Sequence, residues 1–184
     1  KFKILGGTLD DAVGEAFDKV ARVLGLNYPG GPNIEKLARE GKNNIEFPKM
    51  LKGVGGYNFS YSGLKTAVIN YVHHANQRWE RVNDADVACS FQHAATDILV
   101  KKAIEAAKEY SLDTVTVGGG VAANGYMREN LGNACAKCGL KLVLPEKILC
   151  TDNAAMIGAE GYVQYLKGNF ADLTLNAAAR VDLG

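Results

Sequence analysis

Apolar residues recur at helical spacing through much of this chain. Val13, Phe17, Val20 and Leu24 lie three and four apart, which predicts a helix over Asp10–Leu24 with one buried face. Val87, Phe91, Ala94 and Ile98 form a similar stripe within a long helical stretch, Asp84–Tyr110. Met127, Leu131, Cys135 and Cys138 form another, in a helix from about Ala122 to Cys138. Ser62–Asn76 and Asp152–Leu166 also read as helices, and Asn33–Arg39 as a short one. Phe2–Gly7, the segment holding Val115 and Val117, and Leu140–Leu144 read as strands. Tyr28–Pro32 is a turn or loop by its proline and glycine chemistry. Gly41–Gly56 is a polar loop, Tyr57–Tyr61 is open between strand and loop, and the last residues read as irregular. The strand–helix–strand–helix order of the second half argues for an α/β fold, with no internal repeat.

Chemistry concentrates first in Asp113–Arg128, DTVTVGGGVAANGYMR. A buried strand, three glycines (Gly118, Gly119 and Gly120) and a helix start bring unpaired backbone N–H groups where a ligand can approach closely. Such a turn is either an anion cradle, most often for phosphate, or simply a tight connection.

Composition narrows the field without choosing. The 184 residues are 47% hydrophobic, enough for one domain core or somewhat more. A net charge of +1 gives no global argument for nucleic acid or membrane. No apolar run is long enough to span a bilayer and no secretory pattern opens the chain, so a cytoplasmic protein is expected. The four cysteines are too sparse for a disulfide framework. Cys135 and Cys138 form a CxxC pair, but both lie on the apolar stripe, and core packing is the simpler reading.

Other constellations leave alternatives open. Asp10, Gly14 and Asp18 lie four apart on the first helix, where a mid-helix glycine costs roughly 1 kcal/mol and calls for a reason. Asp18 is either an acceptor for ribose hydroxyls or part of a solvated face, pairing with Arg22 as Glu15 pairs with Lys19. Thr151 and Asp152 in CTDN read as a cap and first-turn acid of the last helix, or Asp152 as a metal ligand. Ser60 and Ser62 read as caps, while Lys65 is either a solvent charge or an anion contact.

In order, the segments are TLDDAVGEAFDKVARVLGLNYPGGP (Thr8–Pro32), NFSYSGLKTAV (Asn58–Val68), VGGGVAANGYMR (Val117–Arg128) and CTDNAAMIG (Cys150–Gly158). This series closely resembles the universal tRNA threonylcarbamoyladenosine transferase subunit, the bacterial TsaD family once catalogued as O-sialoglycoprotein endopeptidase. The resemblance implies an actin-like ATPase fold of the ASKHA, ribonuclease H-like kind. This chain would be most of the second domain, helix-rich and without its leading strands, with a helical insertion around residues 28–110. It implies transfer of a threonylcarbamoyl group from threonylcarbamoyl-AMP to N6 of adenosine 37 in tRNAs reading A-starting codons. By the same resemblance Asp18, Gly31 and Asn124, with Gly119 and Gly120 beside it, bind the adenylate or an ATP-type nucleotide. Asp152 resembles a ligand of one divalent metal, iron or zinc. Expected partners are tRNA and TsaB-like and TsaE-like companions.

The family's HxxxH metal pair and its Ser-Gly-Gly-His strand have no counterpart in this sequence. The chain is therefore expected to be a fragment, with an incomplete metal site and activity only in the full-length protein. No catalytic residue or general base is assigned. The alternatives are a nucleotide-binding scaffold of the same fold and a metalloendopeptidase.

Overall fold

The structure, a computed structural model, describes residues 3–48 and 56–177. Phe2, part of the polar loop and the end of the irregular C-terminal stretch lie outside the described residues. Among the described residues six α-helices and two short strands follow in order: α1 (Val13–Val23), α2 (Gly30–Ala38), α3 (Ser62–Gln77), α4 (Asp84–Glu109), β1 (Thr114–Thr116), α5 (Gly125–Lys137), β2 (Lys141–Val143) and α6 (Ala154–Leu166). Two 3-10 turns, Gly120–Ala123 and Lys147–Leu149, precede α5 and α6.

The larger core lies among α1, α2, α3 and the first half of α4. Phe17, Val20, Ile34, Leu64, Val68, Val87 and Phe91 form its centre. Phe17 and Phe91 meet edge to face with ring centroids 5.0 Å apart, a geometry that adds about 0.5–1.5 kcal/mol to their burial. The smaller core joins Val100 and Ile104 of α4 to Leu131 and Cys135 of α5, against Val115 and Leu142 of the strands. At 26 residues, α4 is long enough to serve both cores. Asn83 caps it by accepting the Ala85 N–H, and Asp84 and Asp86 suit the positive end of its dipole. β1 and β2 pair in parallel, Val115 opposite Leu142, with α5 as the crossover.

Several boundaries differ from those predicted, each for a local reason. The segment before Thr8 is not a strand among the described residues: it makes a single parallel bridge, Thr8 to Phe59. The Asn58 side chain takes the Gly7 N–H, which stops a ladder from extending. α1 begins at Val13 rather than Asp10, because Asp10 is drawn to the start of α3. There its carboxylate accepts the Ser60 and Ser62 hydroxyls and the backbone N–H groups of Tyr61 and Ser62. The two serines thus donate to Asp10, and neither caps α3 itself. α2 begins inside the predicted turn, at Gly30, with Pro29 extended at its N-cap. α6 begins at Ala154 with Asn153 as its cap, so neither Thr151 nor Asp152 belongs to its first turn. Cys135 is buried and Cys138 half-buried in the smaller core, and burial pushes the Cys135 thiol up. No residue of α6 is buried.

Asp10 supplies an acid-dependent tie between the α1 approach and α3. Partial desolvation opposes its ionisation, but the four hydrogen bonds outweigh that and hold its carboxyl at about 2. A carboxyl depressed by folding stabilises above its ordinary range and loses that contribution as pH falls through its folded value. Urea midpoints should therefore fall between the ordinary value of 3.8 and about 2. Asp10→Asn should start less stable at pH 7 and lose less over that interval. Equal slopes for the two proteins would refute this role.

Candidate functional site

The start of α2 is pressed onto α1. Gly30 donates its N–H to Asp18 Oδ1 at 2.8 Å. A Cβ at Gly30 would lie 2.6 Å from Asp18 Cα, so only glycine allows the approach. Four N–H positions at a helix start lack intrahelical acceptors. Here Pro29 and Pro32 have no N–H and Gly30 is taken by Asp18. Among the described residues the unpaired donor of that turn is Gly31, which lines a cavity of about 710 Å³. Asp18 lines the same cavity, and its Oδ2 accepts no hydrogen bond within the described residues. The Asp18–Arg22 pair, one of the two alternatives for Asp18, does not form among the described residues, whereas Lys19 pairs with Glu15 at 2.6 Å and with Asp11 at 2.8 Å. Lys65 completes that cluster on Asp11 at 2.8 Å, so it is a structural ion-pair partner. Hydrogen bonds from Lys19 and Lys65 hold the Asp11 carboxyl below the usual carboxylate range.

The opposite wall is the glycine turn after β1. Gly119 adopts φ +87°, a left-handed conformation that favours glycine. The N–H groups of Gly119, Gly120 and Val121 find no acceptor among the described residues. Gly14 of α1 faces this wall: a Cβ there would sit 3.6 Å from Val121 Cγ2, and Gly14 itself lines the cavity. A Cβ at Gly14 would make only an ordinary contact there, so packing within the chain does not itself require the glycine. The expected helix from Ala122 is instead a 3-10 turn over Gly120–Ala123, then Asn124 as the cap of α5. Asn124 is 7% exposed, with Oδ1 accepting from Met127 N at 2.9 Å and Nδ2 donating to Gln92 Oε1 at 2.8 Å.

Asp18, Gly31, Gly119, Gly120 and Asn124 therefore line one cavity. Asp152 does not. It lines an adjoining depression of about 540 Å³ that shares Gly118, Gly119 and Thr151 with the first. Tyr28 of the proline–glycine turn also lines the main cavity, as do Glu35 and Lys147, which belong to no motif of the sequence. Glu35 was within reach, since it stands one helical turn after Gly31 once α2 is known to begin at Gly30. Lys147 follows an irregular proline-containing stretch and had no periodic signal. Lys147 adds a cation to the lining of a cavity that also has the acidic Asp18 and Glu35 and the open N–H groups of the turn. Among the described residues no three His, Cys, Asp or Glu side chains come together as a metal site. Asp152 is a single exposed carboxylate without a hydrogen-bond partner there, and the donors present do not make a site by themselves.

The family model for TsaD, tRNA N6-adenosine threonylcarbamoyltransferase, matches residues 1–159. The chain belongs to that family. A tRNA N6-adenosine threonylcarbamoyltransferase from Staphylococcus aureus (strain JH9) is 49% identical over 182 residues, covering 99% of this chain and 53% of the relative. One of the same description from Moorella thermoacetica is 56% identical over 176 residues, 95% of this chain and 52% of that protein. The chain thus spans about half the length of the curated relatives it matches. Among solved structures, T. kodakarensis HypF superposes with a TM-score of 0.62 at 25% identity, over 86% of this chain and 20% of that one. A full-length HypF in a phosphate- and nucleotide-bound form gives 0.60 at 18% identity, over 85% and 20%. This TsaD-family chain is a helix-rich α/β unit with a short parallel sheet, similar in fold to part of HypF. No helix among the described residues is long and apolar enough to cross a membrane.

The two adjacent glycines of α2 separate packing from the cavity. Gly30→Ala should cost about 1–3 kcal/mol by forcing α2 off α1. A Cβ at Gly31 meets nothing within 4 Å, so Gly31→Ala should leave stability unchanged or raise it by up to about 1 kcal/mol. Urea unfolding of both variants checks this, and equal destabilisation would contradict the assignment.

Proposed function

We propose that this chain provides the adenylate-binding face of a threonylcarbamoyl transferase acting on N6 of adenosine 37 in tRNAs that read A-starting codons. The observation that supports this best is the meeting of Asp18, Gly31, Gly119, Gly120 and Asn124, from separate elements, around one cavity. Its volume, about 710 Å³, lies within the roughly 300–1,000 Å³ of small-molecule sites. The donor who fits is threonylcarbamoyl-AMP, a mixed anhydride. Asp18 Oδ2 accepts a ribose hydroxyl, Gly31 N–H and the Asn124 amide hold the nucleoside side, and the glycine turn with Lys147 receives the phosphate.

The reaction needs placement more than a covalent enzyme intermediate. The exocyclic amine of the tRNA adenosine attacks the carbamoyl carbon, a C–N bond forms, the anhydride C–O bond breaks and AMP leaves with the electron pair. The amine's proton passes to an acceptor for which no residue of this chain is assigned. Asp152 is proposed as one ligand of a divalent metal, iron or zinc, which when bound supplies Lewis-acid polarisation. The described residues do not complete that site, and no step is routed through it.

The chain is further proposed to be most of the second domain of an actin-like ATPase fold, with the helical insertion around residues 28–110. The exposed Ile157, Tyr162, Tyr165 and Leu166 of α6 support its having more of that domain to pack against. Partners proposed are tRNA and TsaB-like and TsaE-like companions.

The test is threonylcarbamoyl transfer to unmodified tRNA by the full-length protein with its companions. Wild type should transfer. Asp18→Ala and Asn124→Asp should weaken AMP binding at least about tenfold, the cost of losing a hydrogen bond to a charged group or ligand. Asn124→Asp keeps an acceptor for the α5 cap while it removes the amide donor and sets a carboxylate beside the anionic ligand. Wild-type affinity in both variants would refute the assignment of this cavity.

A further inference from the structure

We propose that Gln92 is a positioning residue for the adenylate site, acting through Asn124; this rests on the reading of Asn124 given above. An asparagine amide has two ends of nearly equal size, and its useful orientation must be imposed by its neighbours. One neighbour is Met127, whose backbone N–H meets Asn124 Oδ1 at 2.9 Å. The other is Gln92, whose Oε1 accepts from Asn124 Nδ2 at 2.8 Å. Together they fix which end is oxygen and which is nitrogen. Nδ2 retains a second N–H, and Asn124 lines the cavity.

Gln92 is itself held firmly. It is 5% exposed on α4, between Phe91 at 0% and the half-buried His93. The neighbouring turn binds α4 to α5 independently. Tyr126 Oη lies 2.8 Å from both Asp97 Oδ1 and His93 Nδ1, and Asn130 Nδ2 donates to Asp97 Oδ1 at 2.7 Å. An ionised Asp97 only accepts, so the Tyr126 hydroxyl donates to it and His93 Nδ1–H donates to Tyr126. Burial, and then the Asp97 carboxylate, push the Tyr126 phenol well above its ordinary range, which keeps it a donor. This seam sets the spacing of α4 and α5, and Gln92 uses that spacing to reach Asn124.

The experiment is AMP affinity by calorimetry on full-length protein, with thermal unfolding alongside. Gln92→Met, close in shape but without the acceptor, should bind AMP about fivefold more weakly. Gln92→Asn, too short to reach Nδ2, should do the same and serves if the methionine variant fails to fold. Gln92→Glu restores an acceptor oxygen and should bind within about twofold of wild type. On an Asn124→Asp background, Gln92→Met should cause no further loss, because residues acting through one another are not additive. Weakened binding in Asn124→Asp with wild-type affinity in Gln92→Met and Gln92→Asn would overturn the role of Gln92 and leave the site standing. Equal loss in Gln92→Glu and Gln92→Met would overturn it too, since packing alone would then account for the effect. Unchanged binding in Asn124→Asp would instead refute Asn124 as a ligand contact, and the inference with it.

Discussion

The contact on which the site depends is the approach of α2 to α1 at Gly30. No side chain fits there, and the Gly30 N–H that would otherwise be left unpaired is accepted by Asp18. That bond does two things at once. It fastens the two helices, and it directs the remaining open donor of the turn, Gly31, to the cavity wall. Two prolines in the same turn remove the other donors, so the polarity of the helix start is concentrated at a single residue. Packing and ligand chemistry are therefore inseparable at Asp18: one carboxylate oxygen is structural, and the other accepts no hydrogen bond among the described residues.

The facing wall depends on a second, smaller assembly. β1 and β2 are only three residues each, and their pairing would be weak in isolation. α4 compensates by running beneath both cores, with Phe91 in the larger and Val100 and Ile104 in the smaller. The glycine turn is thus mounted on the same long helix that braces α1 and α2. Gln92 lies in the first half of that helix, next to Phe91 of the larger core, and touches the cap residue of α5. A rigid common support of this kind is what a site built from several elements requires.

Much of this was legible in the sequence. The apolar stripe Val13, Phe17, Val20 announced the buried face of α1, and Val87 with Phe91 announced that of α4, because burial enforces the helical period. The triple glycine was legible as a strand-to-helix turn. What escaped were features set by long-range partners. Asp10 sits at helical spacing from Gly14 and Asp18, yet it leaves α1 to bind the start of α3, some fifty residues away in sequence. Glycine and proline in Tyr28–Pro32 read as a turn, but close packing on Asp18 makes Gly30 helical. Asp152 and Thr151 resembled a helix start by local chemistry, and Asn153 won the position. Gln92 and Lys147 carried no local signal, since their significance lies wholly in what the fold places opposite them.

The central claim is that an adenylate occupies the space between the α2 start and the glycine turn. Backbone amide resonances of full-length protein, followed during an AMP titration, test it most directly. Saturable shifts are predicted at Gly31, Gly119, Gly120 and Val121, whose N–H groups find no acceptor among the described residues, with little change at the Ala85 amide that Asn83 caps in α4. Saturable shifts confined to other parts of the molecule, with those four amides unmoved, would contradict it.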